Sequence, residues 1–323
     1  MQYDVITIGS STRDAFLVSK QIKLFPSEKF VTGVGECVAL GTKIDLDNLV
    51  LSTGGGATNA AATLGSLKLK TAIISRIGAD SAGADVLHDL TAHHVDTSLM
   101  QVIKGGATAY STLLTEAKGG ERTVLVYRGI SADFSESDIP WNKLKTKWIY
   151  LTSLGNPALV KKIITYASKH NINIAWNPGQ AEIKAGLKTW KALLPSIQLL
   201  ILNREEMVEL TGKTETEAIF EALHADGTVR ILTDGPNGAF VYRDGWMIRS
   251  MPGKTKSISR AGAGDAFGSA FLAGLIKTDD LRHALALGIL NAESVIQHYG
   301  AKTGILKQWP SATVLKKIIT KEL

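Results

Sequence analysis

Asp265 follows three small residues, Gly262, Ala263 and Gly264, and the apolar stretch from Ala266 to Ile276 predicts a helix that begins beside it. The free backbone N–H groups at a helix amino terminus form an anion site, and glycines let a phosphate come close. A carboxylate would repel that phosphate, so Asp265 is better placed to take a proton from a hydroxyl attacking phosphorus. The pattern points to phosphoryl transfer onto an alcohol. On its own, G-A-G-D also occurs as small residues packed into a tight strand-to-helix turn.

Four further stretches offer partners. In Gly54-Gly-Gly-Ala-Thr-Asn59, the glycines permit a strained turn and close ligand approach, and a helix predicted over Ala57–Leu67 opens there. The Asn59 amide would bring both a donor and an acceptor to a hydroxylated ligand, although a capped glycine turn reads the same way. Asp14, five residues after Gly9 and just past the first strand, can accept two protons from a vicinal diol or simply serve a turn. Asn203 and Glu206 follow the strand Leu199–Leu202 and share a helical face. They suit a magnesium ion that keeps its waters and touches phosphates, or equally a helix cap with an acidic first turn. The turn Thr233-Asp-Gly-Pro-Asn-Gly238 follows another strand and either holds phosphates or closes a hairpin. Gly253-Lys-Thr255 is a decoy: Ile248 stands where a Walker A loop needs glycine, and no strand and helix flank it.

These residues need a scaffold, and the chain alternates strand-like and helix-like segments for most of its 323 residues. Strands are predicted at Val5–Ile8, Thr71–Ile77, Trp148–Leu151, Ile172–Trp176, Leu199–Leu202 and Val229–Thr233. Helices are predicted at Ala57–Leu67, Ala82–Ala92, Pro157–His170, Trp190–Leu194, Arg204–Thr211, Glu215–Ala225, Ala266–Ile276, Leu281–His298 and Ala312–Thr320. The strands are continuous apolar runs, as in a mostly parallel sheet covered on both faces. The fold class is α/β, a doubly wound core. Residues 16–51 lack a convincing helix, and residues 108–128 alternate as a hairpin about Lys118-Gly-Gly120. Together they predict a small β-sheet: an extra edge, or a lid over the carboxyl ends of the core strands. The domain reading is therefore a core of 1–15, 52–107 and 129–323, with a lid of 16–51 and 108–128.

Composition narrows the partners. The formal charge of +6, from 36 basic and 30 acidic residues, is scattered without a dense basic tract, so nucleic acid is not expected. Cys37 is the only cysteine, which excludes an internal disulfide and fits a reducing cytosol. His93 and His94 are adjacent and diverge, so they make no metal pair. No apolar run approaches a membrane span or a signal segment, and the expectation is a soluble, cytoplasmic protein.

Taken in order, Asp14 after strand one, G-G-G-A-T-N, N-x-x-E, T-x-G-x-x-G and G-A-G-D resemble the ribokinase-like, or PfkB, carbohydrate kinases from Gly9 to about Gly304. The resemblance implies a Rossmann-like core with a β-sheet lid, and ATP-dependent phosphorylation of a hydroxymethyl group. It implies Asp265 as base and the backbone of Gly262, Ala263 and Gly264 as the anion hole. Asp14, Gly55, Gly56 and Asn59 would bind sugar, with Arg128 in reach of it or solvated. Asn203, Thr233, Gly235, Gly238 and Asn291 would serve the nucleotide, Asn291 near the adenine, and Glu206 the magnesium through water. Many members carry an aspartate and two threonines before G-A-G-D, and the aspartate helps hold a monovalent cation. Here those positions are Ser259, Arg260 and Ala261, which makes potassium activation doubtful. A nucleoside kinase of the same fold and a catalytically silent sugar sensor are the alternatives, and a lid-paired homodimer is compatible with either.

Overall fold

The apolar runs assemble into one nine-stranded sheet in the order Thr320–Glu322, Trp246–Ser250, Ala239–Arg243, Val229–Thr233, Leu199–Asn203, Asn173–Trp176, Thr146–Leu151, Tyr3–Ile8 and Thr71–Ile74. The computed structural model describes residues 2–30, 32–117 and 122–323. The six strands from Thr71–Ile74 to Val229–Thr233 are parallel, and the remaining three extend that edge antiparallel. Alternate strand residues feed two cores. Ile6, Ile8, Ile149, Leu151, Trp176 and Leu200 pack with Leu159, Val160 and Ile163 of the helix Pro157–Lys169. Val5, Tyr150, Leu199 and Ile201 pack with the helices Ala263–Thr278 and Leu281–Val295. Both faces being buried explains why the strands read as unbroken apolar runs.

Tyr3–Ile8 has Thr71–Ile74 on one side and Thr146–Leu151 on the other. Strand order reverses there, and the crevice this opens lies at the carboxyl ends of the strands.

The small sheet is separate, in the order Arg122–Tyr127, Ala109–Glu116, Thr12–Ser19 and Asn48–Gly54. It begins at Thr12 rather than Phe16, so Asp14 sits within a lid strand and not in a loop of the core. Residues paired across neighbouring strands share a face. Asp14 therefore lies in a row with Ser52, Ser111 and Val126. Phe16, next on that face, meets Tyr299 at 5.8 Å between ring centres and is fully buried. The opposite face carries Leu49, Leu51 and Leu125, each more than half exposed. The Lys118–Gly120 hairpin tip lies outside the described residues.

Three expected elements differ. The strand Thr71–Ile77 divides at Ser75, whose hydroxyl donates to the Gly9 carbonyl at 2.6 Å, and Arg76–Gly78 leaves the sheet to pair with Gln101–Ile103. The helix expected at Trp190–Leu194 is Leu187–Trp190 followed by a 3-10 turn over Lys191–Ser196, where Pro195 lacks an N–H for an α-helical bond. Ala312–Thr320 keeps only Ala312–Leu315 as helix, because Thr320–Glu322 pairs with Trp246–Ser250 at the sheet edge.

Candidate active site

The helix Ala263–Thr278 starts from Gly262, whose φ of 78° is left-handed. A Cβ on Gly262 would lie 2.3 Å from that of Ala301, so glycine is required twice over. The turn brings Asp265 into the first helical turn, where the Ala263 N–H donates to the Arg260 carbonyl at 3.3 Å and the Ala266 N–H to that of Gly262 at 2.8 Å, while the N–H groups of Gly264 and Asp265 have no carbonyl one turn back. Across the site, Gly55 adopts φ 96° as N-cap of the helix Gly56–Ser66, and a Cβ there would lie 2.4 Å from the Ser10 carbonyl oxygen. That close passage aims the helix so that Asn59 Nδ2 donates to Asp265 Oδ2 at 2.7 Å. Two motifs 206 residues apart are joined by this one bond. Asn59 Oδ1 is buried without a protein partner, an acceptor left for a ligand hydroxyl.

Burial pushes the Asp265 carboxyl above the usual aspartate range, against the Asn59 hydrogen bond and the Lys302 charge. Asp14 is buried too. Thr12 Oγ1 donates to its Oδ1 at 2.8 Å, and its Oδ2 faces Gly54 so closely that a Cβ there would meet it at 1.9 Å. Burial raises its carboxyl as well, opposed by Thr12, Lys302 and Ser111. Asp14 and Asp265 repel each other within one site.

A cavity of about 480 Å³ opens at the amino end of the Ala263–Thr278 helix. Ala263 and Gly264 form one wall, and Thr233, Gly235, Pro236 and Gly238 another. Phe267, Ile289, Ala292 and Ile296 give it an apolar flank, and Lys254 and Arg260 stand at its rim. The Gly253–Thr255 segment also lines it, with the Gly253 N–H donating to Glu293. No helix follows that segment, so it is not a Walker A loop, yet it walls the cavity. Asn291 is corrected: it is fully buried, donates to the Ala266 carbonyl at 2.8 Å and accepts from the Leu306 N–H at 2.8 Å. Its amide ties helices together outside the cavity, and Ile289, Ala292, Glu293 and Ile296 are what its helix presents there.

A second cavity of about 510 Å³ lies at the carboxyl ends of the strands Tyr3–Ile8 and Thr146–Leu151. Gly9, Ser10, Thr12, Ser131, Ser153 and Gly179 make its wall small and polar, with Arg128 and Val126 from the lid side. Of the aromatics near the lid, Phe134 alone among the described residues lines it, and that ring is 3% exposed in the apolar core. Phe16 is committed to Tyr299, and Tyr110 lies in the row of Arg13 on the lid's other face.

Asn203 and Glu206 cap their own helix reciprocally: Asn203 Oδ1 accepts from the Glu206 N–H at 2.8 Å, and Glu206 Oε2 from the Asn203 N–H at 2.9 Å. Burial raises the Glu206 carboxyl, and the Asp265 charge adds to it. One oxygen of Glu206 is thus used and one is left. Among the described residues no group of three or more acidic, cysteine or histidine side chains could cage a metal. This donor set fits a magnesium ion that keeps most of its waters, and not a protein-enclosed one.

Sequence reasoning missed one group. Lys302 is 5% exposed, forms an ion pair with Asp89 at 2.9 Å and donates to Thr58 Oγ1 at 3.2 Å. A single lysine in a loop carries no spacing signal that would have distinguished it.

The model of the pfkB family of carbohydrate kinases matches residues 29–308 of the chain. An uncharacterized sugar kinase of Archaeoglobus fulgidus is 25% identical over 249 residues, 75% of this chain and 97% of that protein. An ATP-dependent ribose-1-phosphate kinase of Halopiger xanaduensis is 26% identical over 254 residues, 75% of this chain and 80% of that protein. The structure of Arabidopsis thaliana ribokinase complexed with ribose and ATP superposes with a TM-score of 0.74 at 19% identity, over 98% of each chain.

Proposed function

The chain belongs to the pfkB family of carbohydrate kinases, phosphotransferases with an alcohol acceptor, and from that membership we propose that it transfers the γ-phosphoryl group of ATP to a hydroxymethyl group of a carbohydrate. The observation that carries this reading is the 2.7 Å bond from Asn59 to Asp265 at the mouth of a helix amino terminus. It puts a proton acceptor, a sugar-binding amide and an anion site together.

The 480 Å³ cavity takes the nucleotide and the 510 Å³ cavity the acceptor. Asp14, Gly55, Gly56 and Asn59 hold acceptor hydroxyls beside that cavity, which reaches Asp14 through Thr12 and Gly55 through Ser10 and has Arg128 on its lid side. Asp265 accepts the proton of the attacking hydroxyl. The new O–P bond forms as the bond from phosphorus to the bridging oxygen of ATP breaks, and ADP leaves. The backbone of Gly262, Ala263 and Gly264 forms the anion hole, with the Gly264 N–H free to face the charge on the transferring group and the Ala263 N–H shared with the Arg260 carbonyl at 3.3 Å. Thr233, Gly235 and Gly238 line the nucleotide, and Asn203 acts by fixing Glu206. Magnesium, held near Glu206 through water, would neutralise phosphate charge.

Ser10, Thr12, Ser131 and Ser153 in the second cavity support a sugar over a nucleoside, since among the described residues only the buried Phe134 ring lines it. Ser259 in place of a carboxylate, with Arg260 at the nucleotide rim, supports turnover without potassium. Unchanged potassium dependence in Arg260→Ala would count against Arg260 standing in for the ion. No helix among the described residues is long and apolar enough to cross a membrane. We place the enzyme in the cytoplasm, and the exposed Leu49, Leu51 and Leu125 face suits a second copy of the lid.

The test is ADP release from MgATP with pentoses, hexoses, their phosphates and nucleosides, with and without potassium. Turnover with one sugar establishes the acceptor. Turnover with nucleosides alone would overturn the sugar reading, and nucleotide binding without turnover on any acceptor would favour a sensor.

A further inference from the structure

Lys302 lies in the loop after the helix Leu281–Val295 and has no role in the phosphoryl-transfer steps described above. The loop is fixed on both sides: Tyr299 meets Phe16 of the lid, and Leu306 N–H donates to Asn291 of the core. The lysine side chain is thereby buried, and burial pulls its ammonium below the usual lysine range, opposed above all by Asp89. Its two placed hydrogen bonds run to different helices, Asp89 at 2.9 Å and Thr58 at 3.2 Å. The Thr58 hydroxyl has already given its proton to the Gly54 carbonyl at 2.6 Å, with Gly55 at 3.0 Å, so toward Lys302 it can only accept. The ammonium therefore braces the glycine turn one residue before Asn59, the side chain that orients Asp265.

Charge points the same way. Three carboxylates, Asp14, Asp89 and Asp265, converge on this lysine from a lid strand and two helices. Asp89 is held well below the usual carboxylate range: burial raises it, but His93, the Lys302 charge and Thr53 outweigh that. It is an anion throughout the working range. Arg13 also acts on Asp14, though its guanidinium is paired with Asp85 at 3.0 Å. Glu206 and Tyr150 are the other groups coupled to Asp265, and neither brings positive charge.

We propose that Lys302 is the fixed counter-cation of the acceptor site, a positioning residue whose buried ammonium, held by Asp89 and Thr58, braces the turn bearing Asn59 and supplies the positive charge beside that turn. This rests on the kinase reading of the same site. Without the ammonium, the buried carboxylates Asp14 and Asp265 lose a cation that favours their charged forms, and one of them takes up a proton first.

The experiment compares kcat/KM against pH for wild type, Lys302→Met and Lys302→Arg. The Met variant shifts the acid limb to higher pH, so that kcat/KM at pH 6 falls roughly tenfold more than at pH 9. The Arg variant returns the limb toward wild type even if its kcat is lower. A limb that stays in place in a folded Met variant overturns the proposal, as does an Arg variant indistinguishable from Met. Lys302→Gln, which keeps a hydrogen bond to Thr58 without the charge, replaces Met if that variant does not fold. Titration of the Asp14 and Asp265 side-chain carboxyls by ¹³C NMR in wild type and Lys302→Gln reads the same charge without turnover. Both midpoints rise in the variant if Lys302 is the counter-cation, and unmoved midpoints refute it. Wild type inactive on every acceptor, with those midpoints still rising, would refute the kinase reading and leave the counter-cation in place.

Discussion

The nucleotide side and the acceptor side proposed for the Asn59–Asp265 pair are built from different materials. The nucleotide cavity approaches the pair through Ala263 and Gly264, and apart from Lys254, Arg260 and Glu293 its walls are glycine, proline, hydroxyl and apolar side chains. The acceptor side rests on buried charge, with Asp14, Asp89 and Lys302 packed beneath a lid strand. A wall of backbone is sensitive to added atoms and indifferent to charge. A wall of paired charges responds to pH and to the loss of any one partner. The same helix terminus thus presents one side that shape controls and another that electrostatics controls.

The largest test is Asp265→Asn, which belongs to neither wall. We expect kcat to fall by roughly a hundred- to ten-thousand-fold, while calorimetry with a non-hydrolysable ATP analogue shows the nucleotide still bound. Retained turnover would remove Asp265 from its role. Wild-type kcat/KM should lose activity on acidification at a pH above the range of a free aspartate, because burial raises the group that must be ionised.

Next comes Asp14→Asn, aimed at the charged wall. Its acceptor KM should rise about tenfold or more, with the KM for ATP nearly unchanged, since charge-assisted hydrogen bonds to the acceptor are lost. The acid limb should also move to lower pH, because the Asp14 charge raises Asp265. An equal rise in both KM values would erase the distinction between the walls.

A pair of glycine substitutions sharpens the other side. Gly262→Ala places a Cβ 2.3 Å from Ala301 in a left-handed turn, and thermal melts should report a loss of about 1–3 kcal/mol. A Cβ on Gly264 meets nothing within 4 Å and projects where the cavity is open. Gly264→Ala should leave the melting temperature nearly in place and raise the KM for ATP. Equal destabilisation by both would mean that Gly264 is packed rather than open.

The smallest effect is expected from Glu293→Ala, which frees the Gly253 N–H at the nucleotide rim. Only a few-fold rise in the KM for ATP should follow, because the segment is exposed and a water can replace the carboxylate.

Much of this was legible along the chain. Continuous apolar runs announced the parallel sheet, and glycine-rich stretches announced the helix starts at Gly55 and Gly262. Asn59 and Asp265 stood out because each is a polar side chain at such a turn, and Asp14 because it follows the first strand. Asn291 misled for a physical reason: a polar residue on an apolar helix reads as a ligand contact, and here it ties helices to a loop that needed a donor and an acceptor. The lid boundary was missed because Thr12–Phe16 continues the first strand's composition while changing sheets.

By itself the sequence determined the layered α/β class, the parallel run of strands and the glycines that open two of its helices. Those follow from local rules of periodicity, backbone freedom and helix termini. Tertiary structure alone decided that Asn59 meets Asp265 across 206 residues, and that Lys302 lies among three aspartates rather than in water. Burial and long-range charge have no period to read, because they depend on which faces the chain brings together once it folds.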